Sequence, residues 1–254
     1  MFPRPSGIVT LTSDLGLADP AVGVMKGALA RASSKPQVVD LCHGVPSRDV
    51  AAGAFALWSA IDRFPGGTVH CAAVGLDGVA QPRLLAACAR GCYWLGPDSG
   101  LLASVLCCDE AAEVRRLDLE HLGLAPAGGG ASGRGALASV AALLASGRYG
   151  FSALGSRALD AAVEDPVFGG PGRVVHVDAY GTLVTNIRAS SAAGCSVAVG
   201  GEVVRWGQQQ REISAGGLLA YGGVSGLLEV AARDDSAARL LGIGVGAPVE
   251  VQNA

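Results

Sequence analysis

The stretch VHVDAYGTLVTNI, Val175 to Ile187, carries residue types suited to holding a small polar aromatic ligand. Asp178, Tyr180, Thr182 and Asn186 cluster around Gly181, between two apolar runs that read as strands. A carboxylate, an aromatic face and an amide beside one turn match the needs of a nucleoside. An ordinary hairpin with polar turn residues gives the same local pattern, and the segment alone does not separate the two.

A second chemical group sits near the N-terminus. Ile8 to Thr12 is an apolar run ending in Ser13-Asp14 and a turn at Gly16. It reads as a buried strand whose C-terminal loop presents a carboxylate. Ala21 to Ala32 has helical spacing, with Val22, Met25, Leu29 and Ala32 on one face. Gln37 to Leu41 reads as a strand and Val50 to Ile61 as a helix. Thr68 to Val74 and Gly91 to Leu95 read as strands, with a helix from Leu101 to Leu106. Strands alternating with helices predict a doubly wound, parallel α/β sheet. Ligands of such sheets lie beyond the C-terminal strand ends, where Asp14, the loop after Val74 and Asp98 all fall.

Ala125 to Gly135 (APAGGGASGRG) reads as a loop before a helix from Ala136 to Ala145. Pro166 to Gly172 reads as a linker. Beyond it come short strands separated by glycines: Val174 to Val177, Leu183 to Ile187, Cys195 to Val199, Glu202 to Trp206 and Leu227 to Ala231, with a last strand in GAPVEVQ. The fold class expected is an N-terminal doubly wound α/β domain over residues 1–165, followed by a small C-terminal β-barrel domain over residues 172–254.

The chain's 254 residues suffice for a sizeable core, and its 50% apolar content excludes a disordered class. A net charge of −3 gives no basic footprint for nucleic acid. Lys26 and Lys35 are the only lysines; with abundant Ala and Gly, this reads as genome composition. No apolar run is long enough for a membrane span, and MFPRPSGIVTLTSD lacks the pattern of a signal peptide. Seven cysteines, mostly in apolar segments, predict buried reduced thiols and a cytoplasmic location. Their spacing does not match a zinc site, so no metal is expected.

Taken in order, five blocks resemble the S-adenosylmethionine (SAM) hydrolase family, also called SAM hydroxide adenosyltransferases, whose superfamily includes fluorinase and chlorinase. The blocks are TLTSDLGLADPAVGVMKGAL (Thr10 to Leu29), VVDLCHGVPSRDVAAGAFAL (Val38 to Leu57), FPGGTVH (Phe64 to His70), GPDSGLL (Gly96 to Leu102) and HVDAYGTLVTNI (His176 to Ile187). The resemblance implies an α/β domain, a β-barrel domain and a homotrimer. Each site would lie between the N-domain of one subunit and the C-domain of its neighbour. It implies substitution at C5′ of SAM with methionine leaving. SAM would be a substrate and no cofactor would be needed.

Residue by residue, the resemblance assigns Asp14 to the ribose diol, whose two hydroxyl donors a carboxylate can accept. A helix cap is the structural alternative. Asp19 and Asp178 match carboxylates near the methionine amino group, and Tyr180 an aromatic lining the adenine pocket. Thr182 stands where an asparagine is common, and Arg48 where fluorinase has a tryptophan. Asn186 reads as a structural strand residue and His43 as a core histidine. Near the C-terminus, the family's Asn-Ser-x-Gly becomes Gly223-Val224-Ser225-Gly226, which leaves Ser225 as a polar contact.

The water-handling loop departs furthest. The family's Asp-Pro-Gly-Val-Gly-Thr-x-Arg aligns with Leu76-Asp77-Gly78-Val79-Ala80-Gln81-Pro82-Arg83. Leu76 thus replaces the catalytic aspartate, Asp77 lies one residue off, and Arg83 is retained. His-Gly-Arg-Asp aligns with Ser132-Gly133-Arg134-Gly135, so Ser132 replaces the catalytic histidine. The expected catalytic set is Arg83, Asp77 and Ser132, beside Leu76. Hydrolysis to adenosine and methionine is the leading expectation. A diverged enzyme using a halide or another substrate is the second, favoured by a drier pocket at Leu76. A non-catalytic adenosyl-binding protein is the third.

Overall fold

The computed structural model describes residues 2–124, 133–162, 164–207 and 213–252. The chain divides into two compact units, Met1–Pro166 and Val167–Ala254. The first contains β1 (Ile8–Ser13), α1 (Ala21–Ala32), β2 (Gln37–Cys42), α2 (Val50–Ser59), β3 (Val69–Ala73), β4 (Leu84–Ala89) and β5 (Cys92–Pro97). It continues with α3 (Ala103–Leu106), β6 (Glu113–Arg116) and α4 (Gly133–Ala145).

Its six strands form one sheet in the order β2-β1-β3-β5-β4-β6. The β2-β1-β3-β5 part is parallel, while β4 pairs antiparallel with both β5 and β6. The sheet is therefore mixed, and β4 and β6 extend it beyond the strands legible in the sequence. Alternating side chains bury both faces, as the period of two along a strand requires. Cys71, Ala73, Tyr93 and Leu95 share a core with Met25, Leu29, Leu137 and Leu144 of α1 and α4. Ala72, Trp94 and Leu85 face the other way, onto Leu57, Leu101 and Val105. Helix α2 starts where Asp49 accepts a hydrogen bond from Ala52 N–H at 2.9 Å.

Parallel pairing puts the C-terminal ends of β1, β2, β3 and β5 on one edge. The antiparallel β4 begins at that edge, with Arg83 just before it, and Arg83 C=O accepts the Asp98 N–H at 2.9 Å. The glycine-rich stretch read as a loop falls largely outside the described residues.

The second unit contains β7 (Val174–Val177), β8 (Leu183–Arg188), α5 (Ala189–Ala192), β9 (Ser196–Val199) and β10 (Glu202–Val204). It ends with β11 (Leu218–Gly222), β12 (Leu227–Ala232), α6 (Ala237–Leu241) and β13 (Val249–Gln252). Two antiparallel sheets, β11-β12-β8-β7 and β10-β9-β13, enclose one core that includes Leu183, Val197, Leu228, Val230 and Val249. Strand β11, LLAYG, was not read from the sequence; its short apolar run is flanked by glycines on both sides.

Candidate active site

At the carboxyl edge of the first sheet, Asp14 leaves β1 and turns its carboxylate across the neighbouring loops. Oδ2 accepts the backbone N–H of Arg48 at 2.9 Å and of Gly75 at 3.0 Å. Among the described residues Oδ1 takes no partner, so one oxygen is fixed and the other is presented. Asp14 is not a helix cap; α1 begins several residues later. Arg48 reaches this position in the left-handed region, with φ of 60°, an uncommon conformation for a residue with a side chain. Its Nη2 donates to Asp77 C=O at 3.2 Å, so Arg48 ties the β2 and β3 loops together.

Asp14 is bracketed by His43. Ser13 Oγ and His43 Nδ1 are 2.7 Å apart, His43 Nε2 lies 3.0 Å from Asp40 Oδ1, and His43 C=O accepts Gly16 N–H at 2.8 Å. Both ring nitrogens are partnered and the ring is buried, as read for a core histidine. Lys26 adds a 2.7 Å contact to Asp40, and the His43 hydrogen bond, with Lys26, holds the Asp40 carboxyl below its ordinary range. Asp19 accepts Ala21 N–H at 2.8 Å beside the start of α1 and is exposed.

Leu76 is buried, at 6% exposure. It packs beside Gly133, where an added Cβ would lie 3.4 Å from Leu76 Cδ2 and 2.7 Å from Pro82 Cγ. The first residue of α4 is thus a close-approach glycine. Asp77 pairs with Arg134 Nη2 at 2.9 Å, so its carboxylate already serves a cation that sequence reasoning had not linked to it. Ser132 lies outside the described residues.

Arg83 is held from two sides. Its Nε stands 2.9 Å from Asp98 Oδ2, close enough for an ion pair but without hydrogen-bond alignment. Nη1 and Nη2 donate to the two oxygens of Asp160 at 2.9 and 2.5 Å. The Asp160 hydrogen bond raises Arg83 above its ordinary range, and the same bond lowers Asp160. Asp160 was not identified from the sequence; no motif or periodicity marks it. A groove of about 760 Å³ runs past Pro82, Arg83, Arg116, Gly133 and Ser156.

The remaining candidates belong to the second unit. Asp178 Oδ1 accepts the backbone N–H groups of Tyr180 and Thr182 at 2.9 and 2.8 Å, closing the turn between β7 and β8. Gly181 has φ of +81°, and a Cβ there would stand 1.9 Å from Ser236 Oγ, so only glycine fits. Tyr180 is 83% exposed and Thr182 is buried. Together with Tyr221, Asp234 and Asp235 these residues line a concavity of about 590 Å³.

A residue missed in the sequence, Glu229 on β12, accepts a hydrogen bond from Tyr221 O–H at 2.9 Å. Burial pushes its carboxyl above the ordinary range, and the charge of Asp178 adds to that. A carboxylate inside the apolar run LLEVAA was the available signal. Ser225 Oγ is buried beside Glu229 but outside regular hydrogen-bond geometry. Asn186 serves the strand, accepting Arg173 N–H and donating to Pro171 C=O.

All seven cysteines are free, and they are less uniformly buried than expected: Cys71 and Cys92 are buried, while Cys107 is exposed. Among the described residues no group of three His, Cys, Asp or Glu could hold a metal ion. No described helix is long and apolar enough to cross a membrane.

Comparison with known proteins agrees with the order of the blocks. Residues 9–155 match the SAM hydroxide adenosyltransferase N-terminal domain, and residues 172–250 match its C-terminal domain. The (R)-S-adenosyl-L-methionine hydrolase of Thermus thermophilus is 33% identical over 253 residues, covering 96% of this chain and 98% of that protein. The crystal structure of a conserved hypothetical protein from Thermus thermophilus superposes with a TM-score of 0.79 at 34% identity, over 99% of this chain and 100% of the other. That of an uncharacterized conserved protein from Thermotoga maritima gives 0.85 at 26% identity, over 97% and 100%. The chain therefore belongs to the SAM hydroxide adenosyltransferase family.

Proposed function

We propose that the protein hydrolyses SAM to adenosine and methionine by attack of water at C5′. The observation that carries this reading is the Asp14 carboxylate, with one oxygen locked by two backbone N–H groups and the other presented at the carboxyl edge of the sheet. A carboxylate held this way accepts a ribose diol without reorganising. The hydrolase activity of the Thermus thermophilus relative, matched along nearly its whole length, supports the same reaction.

In this reading Asp14 takes the ribose hydroxyls and Tyr180 covers the adenine. Thr182 replaces an adenine-reading amide with a hydroxyl. Asp19 and Asp178 face the methionine ammonium, whose burial calls for a paired anion, and Ser225 contributes a hydroxyl. Arg48 acts through the loop it ties to Asp77, and Arg83 stands where water is handled. SAM carries its own leaving group, so the chemistry needs no cofactor. The active assembly is a homotrimer whose sites combine the α/β domain, residues 1–165, of one subunit with the barrel domain, residues 172–254, of the next. The free cysteines fit a cytoplasmic enzyme.

Leu76 removes one carboxylate from the water-handling loop and Ser132 removes an imidazole. General base assistance is worth a factor of ~10² to 10⁴, so turnover is slow beside a relative with the full set. The test is incubation with SAM and chromatography of the products. Equimolar adenosine and methionine support the reading; intact SAM after prolonged incubation contradicts it.

A further inference from the structure

We propose that His43 is the positioning residue of Asp14, pinning the loop that carries it so that the carboxylate is preset for the ribose diol. This rests on the ribose role given to Asp14 above and adds the residue that orients it.

A break in strand alternation brings His43 into place. Strands β1 and β2 run parallel, and their pairing passes from Leu11–Asp40 to Thr12–Cys42, skipping Leu41. Residues three apart on a regular strand point to opposite faces. The one-residue irregularity lets Asp40 and His43 meet, with Oδ1 and Nε2 3.0 Å apart. Bulges of this kind re-aim side chains beside functional sites.

The His43 side chain is 2% exposed, and both ring nitrogens are used. The His43 hydrogen bond, with Lys26, keeps Asp40 ionised, so its oxygens only accept. Nε2 therefore carries the ring proton, and Nδ1 accepts the Ser13 O–H across 2.7 Å. The backbone C=O of His43 accepts the Gly16 N–H at 2.8 Å.

Ser13 and Gly16 stand on either side of Asp14 in the chain. One buried residue thus pins the Asp14 loop at both ends, while the Arg48 and Gly75 amides fix Oδ2. A carboxylate on a loose loop would lose conformational freedom on taking two hydroxyls. Fixing it beforehand removes that cost from binding. His43 acts through the loop and not on the ligand.

The test is calorimetric titration with adenosine and with 2′,3′-dideoxyadenosine, which lacks the diol. The proteins are wild type, His43→Leu, His43→Asn, Asp40→Asn, Asp14→Ala and the double variant His43→Leu with Asp14→Ala. His43→Leu is expected to weaken adenosine about three- to tenfold, the worth of one neutral hydrogen bond, and to leave dideoxyadenosine unchanged. In the Asp14→Ala background it is expected to cost nothing further, because the group it positions is gone. His43→Asn keeps an acceptor for Ser13 and is expected to recover part of the loss. Asp40→Asn enters the same chain from its partly exposed end and is expected to show the same pattern at smaller size, so the test does not depend on His43→Leu folding. A merely structural role would weaken both ligands alike, or act equally with and without Asp14, and either result overturns the assignment. Wild type that prefers adenosine, with variants that keep the preference, overturns this inference alone. Wild type with no preference for adenosine overturns the ribose role of Asp14 along with it.

Discussion

His70 makes the stability of the first unit sensitive to mild acid. It lies on β3 with no exposed surface, stacked on Trp94 at 4.0 Å between ring centres and edge-on to Phe64 at 5.3 Å. Nδ1 is 2.9 Å from Thr10 Oγ1, and Nε2 is buried without a hydrogen-bond partner among the described residues. Burial pushes its pKa down from 6.5 to about 4. The unfolded chain then binds the proton more readily than the folded one. Stability is intact above the unfolded value of 6.5 and falls with pH through the window down to about 4. A gap of that size corresponds to about 3 kcal/mol, of which about 2.5 is expressed near pH 4.5. The assay is urea unfolding of wild type and His70→Gln at about pH 7.5 and about pH 4.5. Other titrating groups contribute equally to both proteins and cancel in the comparison. Wild type is expected to lose about 2 to 3 kcal/mol more than the variant on acidification. Equal losses would refute the claim that His70 is held neutral by burial.

Asp14→Ala is expected to lower adenosine affinity about ten- to a hundredfold in calorimetric titration, from loss of charge-assisted hydrogen bonds worth ~1.5 to 3 kcal/mol. Asp14→Asn is expected to do less harm, because one acceptor survives to hold the Arg48 and Gly75 amides. Gly181→Ala is expected to destabilise the second unit by ~1 to 3 kcal/mol in thermal unfolding, since alanine must adopt a positive φ against Ser236. Leu76→Asp with Ser132→His is expected to raise adenosine release by rebuilding the water-handling set. Light scattering at micromolar concentration is expected to give the mass of a trimer, and a stable monomer would contradict the composite site.

Much of the fold was written in local pattern. Helix α1 runs Ala21–Ala32 as its spacing indicated, and β2, β3 and β7 lie within a residue of the runs read from their apolar content. Strand β4 was missed because LLAACA has neither turn chemistry nor alternation; burial on both faces erases the period that would mark it. The resemblance sets Leu76 where the family carries an aspartate, because the loop aligns without a gap. The ion pairs around that loop were not visible. Asp160 meets Arg83 across 77 positions and Arg134 meets Asp77 across 57, and neither pairing leaves a mark in local sequence. Asp178 shows the converse. It was read as a site residue, and its Oδ1 closes a turn, a role that any Asp in that position performs.

The most direct measurement is turnover of SAM in ¹⁸O-labelled water, with mass spectrometry of the adenosine released. Attack of water at C5′ places the label on the 5′-oxygen of adenosine and leaves methionine unlabelled. Absence of adenosine, or adenosine without the label, would contradict hydrolysis at C5′ as the reaction of this site.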